Sequence, residues 1–421
     1  MLEIRDVRFS DGSRGNIAIA GEKIVSTYIK TQKRKLIDGK GYLALPGLID
    51  THVHFRVPGG EHKETWETGC LSAKFGGVTT VFDMPNTNPA LTTVDGIEKK
   101  TKHIGNPEIN YRFWFGATPN NISEIIEARK DPRIIGVKVY MGSSTGDLLV
   151  CEDSDIRKIF LACAEHGITV AVHAEDEALM RKNIASLGRP ARVSDHCVIR
   201  EPQVEISAVR RALKLQRETG CRLYFCHLST PKSLELVRDA KDSGAEVFTE
   251  VCPHHILLSS EKVQGDSGAY FKMNPPLRGA QDIAIMQDYV CREGFVDTIG
   301  SDHAPHTREE KENKEYEKVP SGVPGVQTIL PLLLTFMLER FIPIDHFVDL
   351  TSRNAAKIFK LGSKGDITHG HDADIVLADT DHERIIQNSE MATKCRWTPF
   401  DGYEVCVQPK MVICQGAVSV L

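Results

Sequence analysis

The sequence predicts an α/β protein, a (β/α)8 TIM-like barrel with a small β domain that the N- and C-terminal segments form together. Through the middle of the chain, eight apolar, β-rich runs alternate with amphipathic, helix-like stretches. Both ends instead carry short β-like segments between Gly and Asp turns. Continuous apolar strands that alternate with helices are typical of a parallel sheet buried on both faces, and eight such units indicate a barrel.

The small β domain is predicted from the likeness of the two ends. MLEIRDVRF and NIAIAG near the N-terminus resemble KGDITHGHDADIVLAD and YEVCVQPKMVICQGAVSV near the C-terminus in their β-branched residues and turns. Chain termini often lie close together in space, so we expect the ends to pair. The sequence therefore divides into 1–46, the N-terminal part of this domain, 47–362, the barrel, and 363–421, its C-terminal part.

The eight predicted barrel strands follow one another between residues 47 and 302. They are GLIDTHVHF (47–55), GVTTVFDM (77–84), NYRFWFGA (110–117), IIGVKVYM (134–141), ITVAVHA (168–174), CRLYFCHLS (221–229), AEVFTEVCP (245–253) and VDTIGSD (296–302). In such barrels the chemistry lies at the carboxyl ends of the strands. Strands 1, 5, 6, 7 and 8 all carry histidine at or just after this end, which predicts a site there.

The bulk composition excludes several classes of partner. The formal charge of −5 provides no basic field, so we expect neither nucleic acid nor an anionic membrane surface as a partner. QTILPLLLTFML, the longest apolar run, is too short to span a bilayer, and no secretory signal pattern opens the chain. The 11 cysteines include no CxxC pair, which indicates reduced thiols and a cytoplasmic protein.

A metal site is predicted from the histidines and from one aspartate. His52 and His54 are two residues apart on a strand, so their side chains point to the same side, and Arg56 continues that spacing. His173, His227 and Asp302 end other strands and could converge on the same axis. A single histidine would be interpreted as a hydrogen-bonded core residue. Four imidazoles beside a carboxylate favour zinc, and they are enough for two ions.

Lys138 is the second unusual residue, because it lies between Val137 and Val139 in the fourth predicted strand. A buried ammonium is costly unless it is paired or neutralised. The side chain could reach solvent at the strand end, or pair with a carboxylate. Alternatively, CO2 could convert the amine to a carbamate, whose two oxygens could bridge two metal ions. Spacing alone does not decide among these three interpretations.

Together these residues and their neighbours resemble the amidohydrolase superfamily, and within it the dihydroorotases of pyrimidine biosynthesis. The resemblance extends over essentially the whole chain through PGLIDTHVHFRVPG, FDMPNTNPAL, GVKVYM, VHAED, CHLST, EVCPHH, FKMNPPLR and GSDHAPHT. HxH alone indicates only the superfamily. HxHxR, MPNT, MNPPLR and DHAPH together are typical of dihydroorotase-like members.

The resemblance implies a role for each candidate residue. His52 and His54 bind one Zn2+, and His173 and His227 bind a second. Lys138, as a carboxylated lysine, bridges the two ions, and Asp302 ligates the first ion and acts as general base and acid. The residues expected around the substrate are His54, Arg56, Asn86, Asn274, His306 and Gly322. Among them, Arg56, Asn86 and His306 would hold the substrate carboxylate.

The implied reaction is the reversible cyclisation of N-carbamoyl-L-aspartate to L-dihydroorotate. Another cyclic amidohydrolase, such as a dihydropyrimidinase, hydantoinase or allantoinase, is the alternative enzyme, and it would not need the Arg56, Asn86 and His306 set. A third alternative is a non-catalytic partner of aspartate transcarbamoylase, but such proteins lose metal ligands and none is missing here. A homodimer is implied, an association with aspartate transcarbamoylase is left open, and residues 307–318 are expected to form a solvated loop that could cover the site.

Overall fold

The computed structural model describes residues 1–25, 35–144 and 148–421. Within these ranges, five strands precede the barrel. They are β1 (Leu2–Arg8), β2 (Arg14–Ala20), β3 (Lys23–Val25), β4 (Lys35–Asp38) and β5 (Leu43–Pro46). Strand β4 pairs with β1 in parallel, and β2 pairs with both β1 and β3 in antiparallel fashion.

Eight parallel strands form the barrel, and each pairs with its neighbour in the sequence. They are β6 (Leu48–Val53), β7 (Val78–Asp83), β8 (Asn110–Gly116), β9 (Ile134–Tyr140), β10 (Val170–His173), β11 (Leu223–Phe225), β12 (Val247–Val251) and β13 (Thr298–Ile299). A parallel bridge between Val53 in β6 and His303, which follows β13, joins the first strand to the end of the last. Each predicted strand is present in its predicted place, which confirms the (β/α)8 fold class.

Helices surround the barrel and bury the outer faces of its strands, so β6, β7 and β10 are buried along their whole length. Local signals begin the helices: the Thr65 side chain caps α1, and Thr230 followed by Pro231 begins α8. The helices are α1 (Trp66–Phe75), α2 (Val94–Ile104), α3 (Ile122–Ala128), α4 (Asp153–Glu165), α5 (Glu177–Ser186), α6 (His196–Ile199), α7 (Pro202–Thr219), α8 (Pro231–Asp242), α9 (Pro253–Leu257), α10 (Ala280–Val290), α11 (Arg308–Lys311), α12 (Ile329–Leu338), α13 (Ile344–Val348) and α14 (Asn354–Ile358). Across the described ranges, none of these helices combines the length and apolar character that crossing a bilayer requires.

The two ends of the chain form one sheet, as expected. The strands that follow the barrel are β14 (Ile375–Asp379), β15 (Arg384–Ile385), β16 (Glu404–Val405), β17 (Gln408–Cys414) and β18 (Ala417–Val420). The strand order is β18-β17-β14-β5-β1-β2-β3, so β5 lies between an N-terminal and a C-terminal strand. Gly47 then leads from β5 into the barrel, where a Cβ would lie 2.2 Å from Thr79 Oγ1, so only glycine fits this junction.

The segment between β14 and β17 lies outside this sheet. Its side chains Met391, Trp397 and Phe400 pack against Leu258 and Met273, which follow barrel strand β12. Strands β15 and β16 form a separate two-stranded sheet in the same segment. Part of the chain that was expected to complete the small β domain therefore covers the carboxyl end of the barrel, and the division at residues 46 and 362 stays a prediction.

Candidate metal centre and substrate pocket

A cavity lies at the carboxyl ends of the barrel strands. Most of the residues predicted for the site line it. They are His52, His54, Arg56, Asn86, His173, His227, Asn274, Asp302 and Gly322. Tyr140, Ser144, Ala304 and Ser321 complete the lining, while Lys138 and His306 lie behind it and contact lining residues. The predicted site residues are thus brought together in one place.

His52, His54 and Asp302 form one candidate ligand set. Asp302 Oδ1 lies 3.3 Å from Nε2 of His52 and 3.1 Å from Nε2 of His54. Ligand atoms that share one tetrahedral zinc, with bonds of ~2.0–2.2 Å, are separated by about 3.3 Å. Each of these two distances fits a pair of ligands on one cation, and the ligand atoms of His52, Asp302 and His227 all lie within 4.8 Å of one another. All three are buried, which leaves their inward-facing atoms shielded from bulk water.

The outward ring nitrogens of these histidines are held by their own partners. His52 Nδ1 lies 2.8 Å from Glu250 Oε1, and His54 Nδ1 lies 2.7 Å from Asn86 Oδ1. An acceptor on the far nitrogen fixes the tautomer and turns Nε2 toward the site. Asn86, expected beside the substrate carboxylate, thus also orients His54.

His173 and His227 form a second candidate ligand set. His173 Nδ1 lies 3.1 Å from His227 Nε2, a separation that also fits two ligands of one cation. Glu175 Oε2 lies 2.9 Å from the other nitrogen of His173. The ring centroids of His52 and His227 are 5.0 Å apart, so the two sets adjoin. The donor set therefore fits a pair of neighbouring ions.

Burial sets the charge of these side chains. It lowers the pKa of His52 and His173, and it lowers the pKa of His54 and His227 still further. The imidazoles are consequently neutral near pH 7 and keep the lone pairs that a cation needs. Burial also raises the pKa of Asp302, which His52 opposes. Asp302 is thus a carboxylate that accepts a proton more readily than an exposed aspartate.

Lys138 is fully buried in β9, and its hydrogen-bond acceptor among the described residues is Cys226 Sγ at 2.9 Å. Its Nζ also lies 5.2 Å from the centre of the Tyr140 ring. Burial raises the pKa of Cys226 to about 12, so this acceptor is a neutral thiol. Among the described residues no carboxylate lies within ion-pair distance of Lys138 Nζ. The solvent-exposed and carboxylate-paired interpretations therefore do not fit the described residues, and the carbamate stays a prediction.

Arg56 reaches the pocket by a route that the sequence did not indicate. Side chains two residues apart share a face only while the chain keeps strand geometry, which would have to continue to residue 56. Strand β6 instead ends at Val53, and Arg56 has a φ of 64°. The expectation that strand pleating places Arg56 beside His54 is therefore wrong in its reason. A left-handed turn after the strand brings the guanidinium to the cavity.

The Arg56 guanidinium is buried and has no carboxylate within ion-pair distance among the described residues. It donates from Nε to Pro305 O at 3.2 Å, and its Nη2 lies 3.0 Å from His306 Nε2. Asn274 Oδ1, on the cavity wall, is also buried without a hydrogen-bond partner in the described part of the chain. The guanidinium without a carboxylate partner and the free Asn274 oxygen fit a ligand with an anionic end and a polar ring.

Gly322 completes this end of the cavity. Its φ is 140°, and a Cβ there would lie 2.6 Å from Ala304 O and 3.1 Å from His306 Nε2. Lys311 in α11 is fully buried and donates to the carbonyls of Lys272, Pro320 and Gly322 at 3.0–3.1 Å. The segment expected to be a solvated loop after the last strand is therefore fastened at Lys311, beside the pocket. Its closure over the site stays a prediction.

Two carboxylates were missed by the sequence interpretation. Glu250 contacts His52 and also accepts from the backbone N–H of His227 at 3.0 Å, so it orients one residue of each ligand set. Glu175 lies beside His173 and forms an ion pair with Arg200. A glutamate in the apolar run AEVFTEV was the available signal for Glu250, because a barrel interior tolerates a carboxylate only when it is paired.

Further groups of potential ligands occur near the cavity. Cys226 lies with His52 and Glu250, and Cys252 lies with His254 and His255, with each group's ligand atoms within 4.8 Å of one another. Burial raises the pKa of Cys252 well above its usual range, as it does for Cys226. Both cysteines are thus buried neutral thiols.

Curated relatives share the whole length of the chain. A dihydroorotase of Halobacterium salinarum is 36% identical over 419 residues, which cover 99% of this chain and 96% of that protein. A dihydroorotase of Lactobacillus gasseri is 32% identical and covers 96% of this chain and 94% of its own. These relatives confirm the resemblance that the sequence motifs indicated.

Solved structures with the same fold include enzymes whose names refer to other cyclic substrates. The L-hydantoinase (dihydropyrimidinase) of Arthrobacter aurescens superposes with a TM-score of 0.92 at 29% identity, covering 100% of this chain and 97% of its own. The dihydropyrimidinase of Brevibacillus agri gives a TM-score of 0.91 at 28% identity, with coverages of 99% and 94%. The model of the amidohydrolase family matches residues 43–418. Barrel, clustered ligands and relatives agree, and the chain belongs to the amidohydrolase family.

Proposed function

We propose that the protein is a zinc-dependent dihydroorotase that interconverts N-carbamoyl-L-aspartate and L-dihydroorotate in de novo pyrimidine biosynthesis. The observation that carries the proposal is the buried Arg56 guanidinium, which faces the cavity beside His306 without a carboxylate partner among the described residues. A buried cation of this kind needs an anion, and a planar guanidinium can bind both oxygens of a carboxylate. The dihydroorotase relatives support the same substrate.

The metal centre of the proposal is a pair of Zn2+ ions per subunit. His52, His54 and Asp302 would hold one ion and His173 and His227 the other, with carboxylated Lys138 bridging them. When bound, such ions lower the pKa of a water molecule and polarise the carbonyl that is attacked. Neutral imidazoles and a buried lysine without a carboxylate partner are the observations that favour this assignment.

The protein's own residues supply binding and proton transfer. Arg56 and His306 hold the substrate carboxylate, and the free Oδ1 of Asn274 can accept an N–H of the ring. Asp302 takes the proton of the attacking water and delivers it to the ring nitrogen that departs. In the biosynthetic direction it takes the proton of that nitrogen and returns it to the leaving hydroxyl as water forms.

The second candidate is a dihydropyrimidinase, hydantoinase or allantoinase, favoured by the close superposition on the hydantoinase of Arthrobacter aurescens. These enzymes open rings that lack the carboxylate of dihydroorotate. Such a ring would leave Arg56 buried and unpaired, at a cost of several kcal/mol. A non-catalytic homologue is disfavoured, because all the expected ligands are present and converge on the cavity.

Ultraviolet assays of the purified protein with dihydroorotate, dihydrouracil, hydantoin and allantoin, together with metal analysis, test the proposal. We expect turnover of dihydroorotate and about two zinc ions per chain. Turnover of dihydrouracil or hydantoin without dihydroorotate would assign the protein to the second candidate. No turnover of any ring by the metal-loaded protein would favour the non-catalytic alternative.

The proposal extends to the protein's setting in the cell. We expect a cytoplasmic homodimer, and an association with aspartate transcarbamoylase, the enzyme that makes its substrate, is the partner to examine. Sedimentation of the purified protein, alone and mixed with that enzyme, measures both. A monomer at assay concentrations would contradict the dimer, and independent sedimentation of the two enzymes would contradict the association.

A further inference from the structure

His306 has more neighbours than one imidazole can satisfy. Its Nε2 lies 3.0 Å from Arg56 Nη2 and 3.1 Å from the carbonyl oxygen of Ser321. Its Nδ1 lies 3.2 Å from Lys63 Nζ and 3.7 Å from Glu310 Oε2. The ring is fully buried, so water does not relieve the conflict among these contacts. Which nitrogen carries the proton therefore decides what His306 presents to the cavity.

A proton on Nδ1 fits this environment poorly. Nδ1–H would face the Lys63 ammonium, which has only N–H donors, and the Glu310 oxygen lies beyond hydrogen-bonding distance. The lone pair of Nε2 would face the Ser321 carbonyl oxygen. Only the contact with Arg56 would be satisfied.

A proton on Nε2 fits better. Nε2–H donates to Ser321 O, and Nδ1 accepts from Lys63 Nζ. The one mismatched contact is with Arg56 Nη2, because two donors then lie 3.0 Å apart. An anion that accepts from Arg56 and shares the Nε2–H of His306 with Ser321 O relieves this mismatch. Burial and the nearby Arg56 hold the pKa of His306 well below its usual range, so the doubly protonated ring does not form near pH 7.

Lys63 is itself held in place. Its Nζ pairs with Glu310 Oε1 at 3.0 Å, and only 18% of its side chain is exposed. Glu310 Oε2 accepts from the backbone N–H of Thr307 at 3.0 Å in the box that caps α11. The lysine follows the first barrel strand and the glutamate follows the last, so the pair links the two segments that border the pocket.

We infer that Lys63, anchored by Glu310, is a positioning residue that holds His306 in the Nε2–H tautomer, so that His306 and Arg56 together donate to a substrate carboxylate. The inference rests on the proposed function, since it names the group that prepares the anion-binding end of that site. Lys63 acts through His306 and does not touch the substrate.

The first experiment compares Lys63→Met, Lys63→Arg and the wild type in the dihydroorotate assay. Removing the donor raises KM by about tenfold, equivalent to about 1.4 kcal/mol, with kcat and zinc content nearly unchanged. Lys63→Arg recovers most of the KM, because arginine can also donate to Nδ1. Lys130→Met, a change at an exposed lysine that pairs with Glu127, is the matched control and leaves KM unchanged.

The second experiment reads the tautomer directly. Nitrogen-15 NMR of histidine-labelled protein, with the His306 signal identified by its loss in His306→Asn, shows a protonated Nε2 in the wild type and a shift toward the other tautomer in Lys63→Met. A protonated Nδ1 in the wild type overturns the inference, as does an unchanged KM in a folded Lys63→Met. A wild type that does not turn over dihydroorotate refutes the proposed function instead, and the spectrum still decides the tautomer.

Discussion

Arg56 Nη2 and His306 Nε2 lie 3.0 Å apart at one end of the cavity, and no carboxylate neutralises the guanidinium among the described residues. Both side chains are buried, so the protein has already removed them from water. The free-energy cost of burying an unpaired cation is offset only when an anion binds. Under the proposed function, this pair is what would favour a substrate with a carboxylate over an uncharged ring.

Arg56→Met removes the cation from this pair. We expect KM for dihydroorotate to rise by about 30-fold or more, because truncating a buried charge partner costs about 2–5 kcal/mol. The zinc content stays unchanged, since Arg56 is not a proposed ligand. Steady-state kinetics and metal analysis measure the two effects. Arg56→Lys keeps the charge without the planar guanidinium, so its KM should lie between those of the wild type and Arg56→Met. Loss of zinc in Arg56→Met would contradict a role confined to substrate binding.

Lys138→Ala removes the proposed bridge. We expect activity to fall by at least about 1,000-fold and zinc content to decrease, because the two ligand sets lose the anion between them. Short carboxylic acids such as acetate or propionate should restore part of the activity by filling the space with a carboxylate. Full activity with two zinc ions in Lys138→Ala would show that the carbamate is not needed.

Gly322→Ala tests the backbone beside His306. The added Cβ would lie 2.6 Å from Ala304 O in a conformation that side chains rarely adopt, so we expect a loss of about 1–3 kcal/mol of stability. The displaced His306 should also raise KM for dihydroorotate. Gly279→Ala is the matched control, because nothing lies within 4 Å of its Cβ position. Equal melting temperatures and KM values for the two variants would contradict the prediction.

Glu64→Gln tests how the C-terminal segment is fastened. Glu64 is fully buried and accepts from Lys394 N, from the Thr393 hydroxyl and, at 3.2 Å, from His303 Nε2. An amide cannot satisfy all of these donors, so the free energy of unfolding in urea should fall by about 2 kcal/mol near pH 7. Glu67→Gln, at an exposed position of α1, serves as the control and should change it little.

The effect of Glu64→Gln depends on pH in a defined direction. Burial would raise the pKa of Glu64, but the bonds with His303, Thr393 and Thr68 outweigh it and hold the pKa below 4.5. A carboxylate with a lowered pKa stabilises the fold above its unfolded value and loses that contribution as pH falls through the folded value. The difference between wild type and variant should therefore shrink below about pH 4.5. A constant difference would show that the charge of Glu64 is not what stabilises the fold.

The barrel, and the convergence of the candidate histidines and Asp302 on one cavity, could be predicted from the sequence because both depend on local pattern. Buried parallel strands appear as continuous apolar runs, and polar residues at their ends stand out against that background. Arg56 was placed correctly for the wrong reason, since a change from strand to left-handed turn leaves no signal in residue spacing. Glu250 and Glu175 were missed because their role depends on which ring nitrogen they face, which only three-dimensional geometry gives.

The packing of the C-terminal segment against the barrel could not be predicted from the sequence either. Trp397 donates from Nε1 to the carbonyl of His306 at 2.8 Å, although 91 residues separate them. Strand-like composition at both ends correctly indicated a shared sheet, but composition does not say which part of an end turns back over the barrel. Contacts between distant segments are set by the packing of the whole chain.

The position of β5 between β1 and β14 has a consequence for synthesis on the ribosome. Leu43–Pro46 pairs with Ile375–Asp379, and nearly the whole barrel must be translated between the two. At a synthesis rate of ~5–20 residues per second, β14 is made on the order of tens of seconds after β5. During this interval an apolar strand edge is open to pairing with other chains. Nascent-chain crowding and chaperone supply should therefore affect the yield of this protein more than the stability of its finished barrel would indicate.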